Sequence, residues 1–205
     1  DAAIGKGSTV SLSRLDRMVN FEPDSGRLTV EGGVRLTDVI NVFLPRGFFP
    51  PVVPGTKFVT IGGMVAANVH GKNHHLVGGF GNHVERITLV LADGNEVVCS
   101  PDANRDLFRA TIGGMGLTGV IRDVTFRLIR VESAFIRQET IAAPDLDAVM
   151  REFENSRKWT YTVAWIDCLS RGTSLGRSLL YRGEHASLME LDAARSSAPY
   201  KTPGI

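Results

Sequence analysis

Residues 50–63, PPVVPGTKFVTIGG, constrain the chain more than any other stretch. Pro50, Pro51 and Pro54 lock φ and push the residues before them out of the helical region, so the path here is extended. Thr60 then stands where a helix N-cap is wanted. With Ala66 and Ala67 downstream, the spacing predicts a short helix from Ile61 to about Val69. Gly62 and Gly63 fall in its first turn, where backbone N–H groups have no intrahelical partner. Such a start can receive an anion, because oxygens approach bare Cα atoms closely. It can equally be a glycine-containing turn between core elements. The residues alone leave both readings open.

Strand and helix signals mix around this stretch without regular alternation. MVNFE (18–22) and RLTVEGG (27–33) flank the turn tetrapeptide PDSG and predict a hairpin. In LTDVINVFLPRG (36–47), Leu36, Val39, Ile40, Phe43 and Leu44 recur at helical spacing, with Pro45 in the last turn and Gly47 as the stop. RITLVLADGNEVVCS predicts a second hairpin turning at Asp93-Gly94. DANRDLFRAT (102–111) suits a short helix, and Val124, Phe126 and Leu128 share one face of a following strand. From about residue 140 the texture changes. PDLDAVMREFENSRK (144–158) reads as an amphipathic helix with Leu146, Val149, Met150 and Phe153 on its apolar face. TYTVAWIDCLS and SLLYRGE read as strands, and SSAPYKTPGI as a loop. The order argues for an α+β fold, with a boundary in the region of residues 130–143.

Composition closes off several functions. Hydrophobic residues make up 43% and charged residues 22%, enough for a packed core. A net charge of +1 gives no electrostatic reason to expect nucleic acid or an acidic membrane as partner. Cys99 and Cys168 lie far apart and outside any C-x-x-C spacing, so no disulfide framework is expected, which suits a reducing or redox-indifferent compartment. No apolar run approaches the roughly 20 residues that span a bilayer, and no signal peptide is visible. The abrupt start at Asp1 leads to the expectation that the true N-terminus lies upstream.

Three motifs bear on chemistry. GMGLTG (114–119) matches G-x-G-x-x-G, but a helical pattern precedes it and a strand follows, the reverse of a dinucleotide fingerprint. Glycines 113, 114, 116 and 119 instead suit a tight backbone path close to another strand or a flat ligand. His70, His74, His75 and His83 cluster, yet the intervening glycines make a helix poor there and no cysteine or carboxylate joins them before Glu85, so no metal is expected. Residues 70–83 carry almost no apolar periodicity, and a structureless loop of that length is uncommon unless it is functional or mobile.

PGTKFVTIGGMVAANVHGKNHHLVGGFGNHV, then LADG, DLFRATIGGMGLTGVI and YTVAWIDCL, together resemble the vanillyl-alcohol-oxidase or PCMH type of FAD-binding flavoprotein. Within that superfamily, HGKNHH followed by FGNHV resembles the branch that oxidises the 2'-hydroxyl of a polyprenyl-phosphoryl pentose, a cell-wall polysaccharide precursor. The resemblance implies an FAD-binding domain over residues 1–135, with mixed sheets and flanking helices, and the start of an α+β substrate domain over 136–205. It further implies a pyrophosphate loop upstream of Asp1 and a substrate domain continuing past Ile205.

Position by position, Gly55, Thr56, Thr60, Ile61, Gly62 and Gly63 would line the FAD pyrophosphate and ribityl chain. Ala66, Ala67, Asn68, Val69 and His70 would run along the flavin, and the backbone of Ile121 would touch the adenine end. Lys72, with Asn73 beside it, would face the substrate pocket; Lys72 and His70 are the catalytic candidates. The implied reaction is hydride transfer from the sugar 2'-carbon to flavin N5, giving a keto sugar, with a short-chain reductase partner completing an epimerisation. A polyprenyl-phosphoryl substrate implies a cytoplasmic protein with peripheral membrane association. A flavin oxidase of a free polyol or aldonolactone, and a non-enzymatic histidine-cluster metal-binding fragment, are the alternatives.

Overall fold

The structure, a computed structural model, describes residues 10–201. In chain order the elements are β1 (Met18–Glu22), β2 (Arg27–Glu31), α1 (Leu36–Phe43), β3 (Phe48–Phe49), α2 (Ile61–Ala66), α3 (His74–Val77), β4 (Val84–Val90) and β5 (Glu96–Cys99). They continue with α4 (Arg105–Thr111), β6 (Val120–Arg127), β7 (Ile129–Arg130), β8 (Ile136–Ala143), α5 (Leu146–Asn155), β9 (Tyr161–Ile166), β10 (Ser178–His185) and α6 (Ala193–Ser196). Helices accompany antiparallel sheets, an α+β fold. The chain forms two compact units that alternate along the sequence. One draws on the segment ending at Val39, on Lys57–Asn68 and on His83–Arg127; the other on Ile40–Thr56, Val69–Asn82 and the segment from Leu128.

The first unit is a five-stranded antiparallel sheet in the order β1-β2-β6-β4-β5. Both expected hairpins are present, and Gly26 takes φ +70° to close the first. Strand alternation divides the sheet into two faces. On one, Leu28 lies opposite Phe126, and Val30 opposite Val124, which in turn faces Ile87; all are fully buried. On the other, the Thr29 and Thr125 hydroxyls meet at 2.9 Å. Arg27 and Arg127 lie directly opposite, and Glu85 relieves their repulsion by approaching each at 2.7 Å. Glu31 and Asp123 form the opposite case, two facing carboxylates taken up by Arg17 at 2.6 Å and Arg122 at 2.8 Å. The Arg17 hydrogen bonds hold the Glu31 carboxyl below the usual range.

α2 packs on β2 and β6 through Ile61, Met64 and Val65, all fully buried. Each such side chain contributes about 1.5–3 kcal/mol of burial free energy, so this six-residue helix is held by packing and not by its own propensity. It is shorter than the sequence predicts, ending at Ala66. Asn68 turns to φ +42°, which helical backbone cannot continue. The carbonyls of Val65 and Ala66 are then taken by Gly113 N at 3.0 Å and Met115 N at 2.9 Å.

The second unit holds a three-stranded antiparallel sheet, β8-β10-β9, and the two-stranded pair β3-β7. α5, capped by Asp145 accepting from Ala148 N at 2.7 Å, covers one face of the three-stranded sheet. There Val149 and Phe153 pack with Ile141, Ala143, Ala164 and Leu180. The apolar stripe is narrower than expected: Leu146 is 42% exposed and Met150 58%. Three strands are wide enough for the Val149–Phe153 pair alone, and Leu146 lies against Gly176 of a loop instead. β8 carries no alternation that a sequence reading detects. It is an edge strand, exposed along most of its length, and pairing with β10 defines it. The tail expected as loop is entered by α6, which ends at Ser196, and Tyr200 donates to Val131 O at 3.1 Å. The final residues of that tail, 202–205, lie outside the described residues. Among the described residues no helix is long and apolar enough to cross a membrane.

Candidate functional site

The sequence leaves two readings open at the start of α2, an anion-receiving turn or a glycine turn packed between core elements, and its first amides meet acceptors within the protein. Ile61 N donates to Val34 O at 2.8 Å, Gly62 N to Gly32 O at 2.9 Å, and Gly63 N to the Thr60 hydroxyl at 3.2 Å. All three donors are already engaged. Gly62 is required for packing: a Cβ there would sit 2.9 Å from Gly32 O and 3.3 Å from Gly32 Cα. Gly63 faces outward, and a Cβ there would meet only the Thr60 hydroxyl, at 3.0 Å.

The glycine loop after α4 is likewise tight for reasons of its own backbone. Added Cβ atoms would lie 2.1 Å from Ala110 O at Gly114 and 2.7 Å from Val90 O at Gly119. Its hydrogen bonds to the end of α2 set Met115, 67% exposed, beside Ala66. Ala67 is exposed and Ala66 half-buried. Small side chains bordered by a solvent-facing methionine suit the planar, apolar part of an FAD, whereas the engaged amides do not suit its phosphates. Ile121 is buried within β6 opposite Leu89.

The second unit holds the other sequence-predicted residues. The region 70–83 is not structureless: α3 occupies its middle and a short 3-10 turn, Phe80–His83, its end. Val69 O accepts from Phe80 N at 2.8 Å. The His70 and His74 rings meet edge to face, 5.8 Å apart. Gly71 lies so close to Val53 that a Cβ would be 2.9 Å from its carbonyl oxygen. Lys72 O accepts from Thr162 N at 3.0 Å, tying the loop to the outer edge of β9. Asn73 is buried and donates to Pro51 O at 2.8 Å, while its Oδ1 has no hydrogen-bond partner among the described residues. His75 Nε2 donates to Trp159 O at 2.9 Å. Each residue from Gly71 to Asn73, and His75, is thus held by a specific contact. The Lys72 ammonium has no ion-pair partner among the described residues.

Lys72 lies on the wall of a cavity of about 590 Å³. Phe49, Val53 and Pro54 line one part, and Gly55, where a Cβ would meet nothing within 4 Å, follows Pro54 together with the exposed Thr56. The rest is the sheet face that α5 leaves uncovered. Register places Gln138 and Tyr161 opposite Gly183, and Val163 opposite Tyr181, all on that one face with Trp165. Arg182 also borders the cavity, but its guanidinium is engaged by Glu139 at 2.6 Å and stacked on Trp159. Among the described residues no carboxylate lines the cavity, so Lys72 sets its electrostatic sign.

Deeper in the same unit the Tyr161 hydroxyl lies 2.9 Å from His185 Nε2. Burial, with the nearby Glu184 charge, pushes the Tyr161 phenol up to about 12. Burial also lowers His185, against a smaller opposing effect of Glu184. Sequence reading missed Tyr161, His185, Gln138 and Tyr181. TYTVAWIDCLS and SLLYRGE read as strands, but nothing in the sequence pairs them or sets their register. Among the described residues no group of three or more His, Cys, Asp or Glu side chains is placed to hold a metal.

Residues 1–100 match the FAD binding domain family. Over 204 residues the chain is 34% identical to decaprenylphosphoryl-beta-D-ribose oxidase of Mycolicibacterium smegmatis, covering 98% of this chain and 44% of that protein. It is 28% identical over 157 residues to D-arabinono-1,4-lactone oxidase of Yarrowia lipolytica, covering 74% of this chain and 28% of the relative. To L-gulonolactone oxidase of Mus musculus it is 27% identical over 163 residues, covering 77% and 36%. The chain spans less than half the length of these curated relatives.

Proposed function

The chain belongs to the PCMH-type FAD-binding flavoproteins, its first hundred residues matching their FAD binding domain, and on that premise we propose that the protein oxidises the 2'-hydroxyl of a polyprenyl-phosphoryl pentose to a keto sugar. The observation that carries this reading is Lys72, whose ammonium has no ion-pair partner among the described residues, held by a pinned loop on the wall of an aromatic cavity that no described carboxylate lines. An anionic phosphosugar is what such a wall favours, and a charge-assisted hydrogen bond to Lys72 contributes about 1.5–3 kcal/mol. Bound FAD supplies the hydride acceptor.

The residues of this chain do the positioning. Lys72 holds the phosphate or a polarised sugar oxygen, Gln138 offers both donor and acceptor, and Tyr181 and Trp165 give the apolar faces against which a sugar and its lipid lie. His70, at the start of the same loop, is proposed as the second catalytic residue. Gly55, Thr56, Thr60, Ile61, Gly62, Gly63, Ala66, Ala67, Asn68, Val69, His70 and Ile121 remain the proposed FAD contacts. Ile61, Gly62 and Gly63 contribute shape there, their amides being engaged. The proposed division into an FAD-binding part, 1–135, and a substrate part, 136–205, falls immediately before β8. A short-chain reductase as partner and peripheral attachment to a cytoplasmic membrane face follow from the proposed substrate.

The lactone oxidases among the relatives favour a second reading, oxidation of a free polyol or aldonolactone. Turnover of the full-length, flavin-loaded protein on a short-chain polyprenyl-phosphoryl ribose, set against free aldonolactones and alditols, separates the two. Preference for the phosphorylated lipid is expected; preference for the free compounds overturns the first reading.

A further inference from the structure

Two half-buried titratable groups remain unused by that account. Tyr161 lines the Lys72 cavity, and its hydroxyl is hydrogen-bonded to His185 Nε2 at 2.9 Å. The imidazole stands edge-on to both Tyr161 and Phe49, with ring centroids 5.5 Å apart in each case. Register fixes the pair. Tyr161 lies opposite Gly183, and His185 is the next residue on the same face of β10, a diagonal distance that aromatic side chains span. Gly183 puts no side chain between them, and Ile136 closes the far side, opposite His185.

The geometry points to Tyr161 and His185 as the proton-accepting pair of the alcohol oxidation, the Tyr161 oxygen taking the substrate hydroxyl proton as its own proton passes to His185 Nε2. The inference rests on the proposed oxidation. Converting a secondary alcohol to a ketone removes one proton from oxygen and one hydride from carbon. The substrate O–H bond breaks as an O–H bond forms at Tyr161. The Tyr161 O–H bond breaks as an N–H bond forms at His185, and the hydride leaves to the flavin, the oxidant of the reaction. His185 ends as an imidazolium and later releases its proton to solvent.

The surroundings agree with these roles. Phe49 and Ile136 keep the imidazole in apolar company, which favours the neutral acceptor form before reaction. Glu184, whose carboxylate is held by Thr160, is the charge that favours the imidazolium once formed, and Lys72 and Arg182 are the cations that border the cavity. The raised phenol disfavours a standing tyrosinate, so the Tyr161 oxygen stays protonated before reaction. A hydroxyl bonded to an acceptor on one side keeps lone pairs for a second hydrogen bond on the other.

The test uses full-length, flavin-loaded protein and the variants Tyr161→Phe and His185→Gln. Retained flavin absorbance reports that each variant folds. Tyr161→Phe is expected to lower kcat about 100-fold or more, the usual scale of general-base loss, with KM nearly unchanged. In wild type the rate falls as pH falls through the lowered His185 value, because a protonated imidazole cannot accept; this acidic limb disappears in Tyr161→Phe. Without substrate, the imidazole signals of His185 in NMR titration shift on Tyr161→Phe. His185→Gln, which keeps an acceptor but not a base, loses kcat to the same extent. Variants with wild-type kcat and an intact acidic limb overturn the inference while leaving the proposed oxidation standing. Wild-type protein inert toward both phosphorylated and free sugars overturns that oxidation, and the proton-accepting role with it.

Discussion

Two neighbouring glycine-bearing stretches meet opposite fates. At the start of α2, Gly62 is pressed against Gly32 and the amides of Ile61, Gly62 and Gly63 all reach protein acceptors. In the loop from His70 to His75, Gly71 is pressed against Val53 in the same way, and Asn73, His75 and the Lys72 carbonyl are bonded to their own unit. The first stretch therefore spends its polar groups on the fold. The second uses its neighbours to hold one residue, and among the described residues the Lys72 ammonium has no ion-pair partner, which leaves it to act on a ligand. Glycine signals close approach in both places. What differs is whether a charged group is left over once the backbone is satisfied.

Substitutions sharpen this contrast, and the largest effect is expected at Gly62. A Gly62→Ala Cβ meets backbone that cannot move away, so chemical denaturation is expected to show a loss of about 2–3 kcal/mol. A loss below about 0.5 kcal/mol would mean that the helix start is loosely packed after all. Asn73→Ala comes next. It strands a carbonyl at Pro51 and loosens the loop, with an expected cost of about 1–2 kcal/mol and a higher KM for the substrate. Unchanged KM would break the link between the pinned loop and Lys72.

Glu31 gives a pH-dependent effect. Its folded value is depressed by Arg17, so its contribution is present above the ordinary glutamate range and is lost as pH falls through the depressed value. Glu31→Gln is expected to flatten acid unfolding of the five-stranded unit, followed by circular dichroism; an unaltered acid transition would refute this. The smallest effect is expected at Gly63→Ala, within about 0.5 kcal/mol of wild type, because helix propensity offsets a contact with one hydroxyl.

Periodicity and turn chemistry made both hairpins, α1, α4, α5 and the Thr60 cap legible, since each depends on residues close in sequence. The cavity was legible only through Lys72. Its floor is assembled by register between β8, β9 and β10, and β8 is too exposed to announce itself by alternation. The engaged amides of α2 were illegible for a similar reason. Their acceptors, Gly32 and Val34, sit in a segment that only the folded sheet brings alongside. Gly183 shows the same dependence: nothing around it in sequence says that Tyr161 and His185 flank it.

In this reading Lys72 recognises an anionic group on the substrate. Measuring KM for a short-chain polyprenyl-phosphoryl ribose and for an uncharged aldonolactone, in wild type and in Lys72→Ala, tests it most directly. A rise of about 10–100-fold is expected for the phosphorylated substrate and little change for the lactone. Equal changes for both, or none for the phosphorylated one, would contradict it.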